Sequence, residues 1–172
     1  MPQVKTGAPH AVPAMQPTEA DIALLRTAQS AELTVRDLYN AALAAGSFPD
    51  AQLSVLELFR DHHTAYAQSL NGLLSKSAAS TRSESMYSSY LAQVQSANTS
   101  LLALQTLENI LVATYIDIVG SLVSLNGANL AASILIVEAG HAAVFGSAPT
   151  FNITSALNDD AVSLITTDTV EG

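Results

Sequence analysis

The chain has no cysteine and no tryptophan. Disulfides, thiolate metal sites and thiol nucleophiles are therefore excluded. Aromatic residues are scarce, and charged residues make up 12%, about half the share in ordinary soluble domains. Positive charge is missing from the whole second half: the six Lys and Arg lie at or before Arg82, and Ser83 to Gly172 holds eight acids and no base. A net charge of −9 argues against nucleic acid as a partner. A long clean hydrophobic run is lacking as well. The apolar stretches after residue 100 are interrupted by Asp117 and by Asn126, Gly127 and Asn129, short of the roughly 18–20 apolar residues of a membrane span, so no span is expected. Residues 1–17 contain one Lys and no apolar core segment, so no secretory leader is read there. The compartment stays open, either cytoplasmic or exported after processing.

What remains is 49% hydrophobic and rich in Ala, Leu and Ser, a mix suited to helices packed through small and medium side chains. The 172 residues suffice for one domain with a sizeable core. Its organising stretch is Ala131 to Phe145, AASILIVEAGHAAVF. Here Glu138 and His141 stand three residues apart, one above the other on a single helical face. Burying them unpaired is costly, and a metal ion shared with other helices would remove that cost.

Residues 1–17, with four prolines, read as a flexible arm. A first helix is expected over 18–45, opened by a Thr18/Asp21 capping box and closed by Gly46. Its apolar seam is Leu25, Ala28, Glu32, Val35, Tyr39 and Ala42. A short link makes the next helix return antiparallel. Asp50 serves as N-cap, and the seam runs Leu56, Phe59, His63, Tyr66, Leu70, Leu73. Glu32 lies 14 residues before Gly46 and His63 lies 14 after Pro49, so the two should stand at one height. Residues 77–98 read as a long connection with one short helix around Tyr87 to Val94, broken near Asn98 to Ser100. A third helix is expected over 99–124 with seam Leu101, Leu104, Glu108, Leu111, Tyr115, Ile118, Leu122. A turn at Asn126-Gly127 leads to a fourth helix over 128–145 with seam Ala131, Ile134, Glu138, His141, Phe145. With that turn the heights of Glu108 and Glu138 agree only if the third helix ends early, near Leu122, or if the helices are staggered. Residues 147–172 form an acidic tail with one apolar patch, Ala161 to Ile165, able to dock on the helices or on a neighbour. Tyr39, Tyr115 and Phe145 read as core filler.

Four helices thus each bring a candidate ligand to the seam: Glu32, His63, Glu108, and the pair Glu138/His141. Carboxylates and imidazoles together suit iron, manganese or zinc. Tyr66 is a candidate ligand or a donor standing behind one, and His62 could replace His63 if its helix is rotated. The pattern resembles the ferritin-like superfamily, whose di-iron members use a lone Glu from each of two helices and Glu-x-x-His from each of the other two. The resemblance covers about residues 20–146 and is carried by Glu138-Ala-Gly-His141 with Glu32 and Glu108 as the lone glutamates. Phe59-Arg-Asp-His-His-Thr-Ala-Tyr66 looks like the second helix of actinobacterial ferritin-like proteins. The departure lies in that helix, where His63 and Tyr66 stand in place of Glu and His; one ion or an asymmetric pair suits this set better than a full di-iron centre.

The expected architecture is an all-α, antiparallel four-helix bundle over 18–146. The resemblance implies metal binding, with iron first, and possible oxidative chemistry. A homo-oligomer is expected from the apolar second half. The competing reading is a metal-free structural or self-assembling bundle, in which the seam Glu and His bond one another.

Overall fold

The computed structural model describes residues 14–46, 48–147 and 161–166. These residues form five α-helices: α1 Glu19–Ala45, α2 Asp50–Leu74, α3 Glu84–Val94, α4 Ser100–Ser121 and α5 Leu125–Ser147, with a 3₁₀ turn at Ser75–Ser77 after α2 and no strand among them. The chain is all-α.

The first helix forms for the reasons its sequence supplies. Thr18 accepts from the backbone N–H of Asp21, and Asp21 accepts from the N–H of Thr18, closing the capping box. Gly46 ends the helix at φ 68°, a left-handed conformation that costs glycine nothing. Every residue of the predicted α1 seam is completely buried. The α2 start differs from expectation. Pro49 occupies the N-cap with no side-chain cap, and Asp50 is the first helical residue, where its carboxylate still faces the positive end of the helix dipole. The α2 seam is also rotated slightly, because Ala67 and Leu74 are buried while Tyr66 and Leu73 are only partly so.

The turn between α4 and α5 falls at Leu122 to Ser124, not at Asn126-Gly127. Several tertiary bonds fix it there. The Val123 N–H donates to Asp21 Oδ1 at 2.9 Å, and the N–H groups of Leu125 and Asn126 donate to the carbonyls of Ala14 and Met15 at 2.8 and 3.1 Å. These bonds satisfy donors that a helix start leaves orphaned. Ser124 caps the helix, its hydroxyl accepting from Gly127 N–H. Gly127 therefore serves a close approach and not a turn: a Cβ there would lie 2.5 Å from Ser124 Oγ. With this turn Glu108 lies 14 residues before Leu122 and Glu138 lies 14 after Ser124, the same spacing as Glu32 to Gly46 and Pro49 to His63. Each is thus about 21 Å of helix from its turn.

Contacts link α1 to α2, α3 and α4, α4 to α3 and α5, and α5 to α2. The core is Leu, Val, Ile and Ala from the four long helices, with Tyr39, Phe59, Tyr115 and Phe145, joined by Met86 and Val94 of α3. α1 also fastens the connection before α3. Gln29 Oε1 accepts from Ala79 N–H, Thr34 Oγ1 accepts from Ser83 N–H, and Asp37 pairs with Arg82, which stacks on Tyr87. Of the expected arm only 14–17 is described, and of the tail only Ser147, which ends α5, and 161–166. Residues 161–166 dock on α4, with Leu164 N–H donating to Thr114 Oγ1 at 3.0 Å and Leu164 and Ile165 packed on the core. α4 and α5 are long and apolar enough, by length and composition, to cross a membrane. Both carry titratable side chains on their buried faces.

Asp21 joins the two ends of this architecture and is 1% exposed. Burial works to raise its carboxyl, but donors from Thr18, Val123 and Ser124 more than offset this and hold it below the usual Asp range. Asp21→Ala is expected to cost about 2 kcal/mol in urea unfolding near neutral pH. Because the native carboxyl titrates below its unfolded value of about 3.9, its ionic contribution is complete above that pH and is lost as pH falls through the native value. The gap between wild type and variant should therefore narrow in acid, which unfolding curves over an acid pH series would show.

Candidate metal centre

The five predicted seam residues come together in the core. Glu32, His63, Glu108 and Glu138 have no exposed surface and His141 is 2% exposed. His63 from α2 stands at the centre. Its Nδ1 lies 2.8 Å from Glu32 Oε2 of α1, and its Nε2 lies 3.2 Å from Glu108 Oε1 of α4. His141 from α5 presents Nδ1 to Glu108 Oε2 at 3.3 Å and to Glu138 Oε2 at 3.4 Å. Each of His63, Glu108, Glu138 and His141 has a donor atom within 4.8 Å of one from each of the others. Glu32 adjoins this group through His63.

Two residues read as filler belong to the site. The Tyr39 hydroxyl donates to Glu108 Oε1, and the Tyr115 hydroxyl donates to Glu32 Oε1 at 2.7 Å. The pairs are crossed: each tyrosine, from α1 or α4, reaches the glutamate of the other helix. A signal was present in the sequence, since Tyr39 follows Glu32 and Tyr115 follows Glu108 by seven residues, two helical turns along one face. Phe145 does pack as an apolar residue, against Tyr39 and Phe59.

The second-helix departures also find places. His62 is half-buried, and its Nδ1 lies 2.9 Å from His141 Nε2. Tyr66 sets its ring perpendicular to His63 with centroids 6.4 Å apart. It is not among the four clustered ligand candidates.

Electrostatics assign the protons of the metal-free cluster. Burial opposes a charge on His63, but the carboxylates of Glu108 and Glu32 overcome it and push the imidazole up to about 10. Burial likewise opposes the Glu108 carboxylate; the His63 charge and the hydrogen bonds around it hold this group well below the usual range. Glu138 goes the other way. Burial and the negative charges of Glu32 and Glu108 push it well above the usual range, so it carries a proton. Tyr39 and Tyr115 are raised by burial and by their glutamate partners, and remain donors.

Fit to a metal ion is tested by Glu138. Both its carboxyl oxygens are buried without an N–H or O–H donor among the described residues. His63 Nδ1 stands 3.5 Å and His141 Nδ1 3.4 Å away without hydrogen-bond geometry. The proton on Glu138 turns to Glu108, which leaves the other oxygen without a donor; such buried oxygens are rare, and a cation is one of the things that account for them. Two imidazoles and two carboxylates are also a donor set suited to iron, manganese or zinc.

The family model described as ferritin-like domain matches residues 20–150. The chain therefore belongs to the ferritin-like domain family. Comparisons with curated proteins and with solved structures gave no match.

The proton assignments make two isosteric substitutions differ sharply. Glu138→Gln replaces one neutral group by another and is expected to change metal-free stability by less than about 1 kcal/mol. Glu108→Gln strips His63 of one of its two counter-charges and is expected to cost about 3 kcal/mol. Denaturant unfolding in the presence of a chelator measures both.

Proposed function

We propose that the chain is a metal-binding protein whose residues 18–146 form an antiparallel four-helix bundle of the ferritin-like type, with residues 1–17 as an arm and 147–172 as a tail. Glu108, Glu138, His63 and His141 would hold the ion. Glu32 would complete the set, either as a fifth ligand or as the carboxylate that orients His63. Iron is the first candidate, with manganese and zinc as alternatives. The observation that carries this reading is Glu138, a sealed carboxyl group without a donor, at the meeting point of two imidazoles and a second carboxylate. Family membership supports it.

The chain's own residues supply a defined setting. Tyr39 and Tyr115 hold Glu108 and Glu32 in place from the opposite helices. Phe59 lies on the His141 ring with centroids 3.9 Å apart and fixes its plane. In the absence of metal, protons on Glu138 and His63 limit the repulsion among the carboxylates, and these protons must leave when ligands are claimed. Iron bound there would supply one-electron redox chemistry. His63 and Tyr66, in place of Glu and His, give the site fewer carboxylates than the di-iron pattern and favour a single ion or an asymmetric pair.

The test is metal content. Wild type reconstituted with Fe(II), Zn(II) or Mn(II) and desalted should retain metal, whereas Glu138→Ala combined with His141→Ala should not. Saturation at about a hundred times Kd should stabilise wild type by about 2.7 kcal/mol and leave the double variant unchanged. Wild type that retains none of the three ions would sink this reading.

A second reading has its own support: the hydrogen bonds among His63, Glu32, Glu108 and the tyrosines hold without any ion. Leu102, Ile116 and Ile136 are 67, 56 and 73% exposed on α4 and α5, apolar surface suited to self-association. In this reading the chain is a structural bundle that assembles with copies of itself. Sedimentation with a chelator present should then show an oligomer, and Ile136→Asp should shift it toward monomer.

A further inference from the structure

The cluster is sealed from water, so an ion needs a way in. Grooves lie beside Ala23 and Leu164, beside Gln29 and Gln68, beside Ile116 and Asp117, and beside Val55 and Val144. None of these four is lined by Glu32, His63, Glu108, Glu138 or His141. His62 reaches the cluster from the half-exposed side of α2.

The contact it makes is unusual in kind. A ligating histidine ordinarily gives its second nitrogen to a carboxylate, a backbone carbonyl or a water. His141 turns Nδ1 toward Glu108 and Glu138, and its Nε2 meets another imidazole, Nδ1 of His62, at 2.9 Å. The two rings are nearly parallel, 11° apart with centroids at 5.2 Å, and Phe59 stacks on His141. Two imidazole nitrogens this close can share one ion at the roughly 2.0–2.1 Å length of a zinc–imidazole bond. The donors are nitrogen only, which favours zinc, copper, nickel or iron over magnesium or calcium.

We propose that His62 and His141 form an outer site for a divalent transition-metal ion, through which that ion reaches the buried cluster. The proposal rests on the metal-binding reading of the cluster. In the resting pair one ring donates its N–H to the other. When an ion arrives, the proton lying between the rings moves to the far nitrogen of the ring that carried it. Both facing nitrogens then offer lone pairs, and no net proton is gained or lost. An ion held there is one imidazole ring away from Glu108 and Glu138.

The test uses the full chain stripped with a chelator and mixed with Co(II), followed by stopped-flow absorbance. His62→Ala and His62→Asn should both deliver Co(II) to the buried cluster at least about tenfold more slowly than wild type, with the buried Co(II) still present once uptake is complete. Asn can still donate a hydrogen bond to His141 Nε2 but offers no imidazole. Uptake by His62→Ala at the wild-type rate overturns the outer site. So does wild-type speed in His62→Asn alone, which would make His62 only a positioning residue for His141. Loss of the buried Co(II) in these variants would make His62 part of the inner set and would also overturn it. Wild type that takes up no Co(II), Fe(II), Zn(II) or Mn(II) at any rate is a different failure, that of the metal-binding reading itself.

Discussion

The structure depends on His63 being buried as a cation between two carboxylates. An imidazolium without exposed surface is tolerable only when both its N–H groups have charged acceptors, and Glu32 and Glu108 provide them from two other helices. That requirement ties α1, α2 and α4 to one mutual register. Glu138 brings in α5 on different terms, as a protonated acid beside the same charges. The tyrosines then remove the remaining slack, each spanning from one helix to the glutamate of the other. A slip of one residue in any of these helices would leave a buried group without its partner.

That register is prepared far from the cluster. Glu32, His63, Glu108 and Glu138 each lie 14 residues from a turn, and the turns are held by short-range devices: Gly46 in a left-handed conformation after α1, and Ser124 with Asp21 before α5. Asp21 does this twice over, closing the cap of α1 and holding the turn into α5. The ends of the helices thereby set heights in the middle. Residues 14–17 add to the same corner through the carbonyls of Ala14 and Met15. Ala14 and Met15 are thus part of the turn between α4 and α5.

Set against the di-iron pattern of two Glu-x-x-His helices, the second helix carries His63 and Tyr66. Replacing a carboxylate by His63 converts a negative position into one that is positive without metal, and the surrounding glutamates compensate. The cluster is consequently coherent in its metal-free form, which explains why metal-bound and metal-free readings invoke the same residues. Glu138 separates them, because its oxygens have no donor among the described residues.

The sequence by itself determined the helices, their buried faces and the presence of Glu32, His63, Glu108, Glu138 and His141 on those faces. These are local matters, since a period of 3.6 residues with a capping box and a terminal glycine can be read within one segment. Only the tertiary structure decided where the second turn falls. Asn126-Gly127 has the composition of a turn, but Asp21 and the carbonyls of Ala14 and Met15 draw the α5 start back to Leu125. Tertiary structure also decided the partners. Tyr39 goes to Glu108, Tyr115 to Glu32, and His62 to His141 across 79 residues of chain. Such pairings depend on how far one helix is rotated and shifted against another, quantities that no single helix encodes.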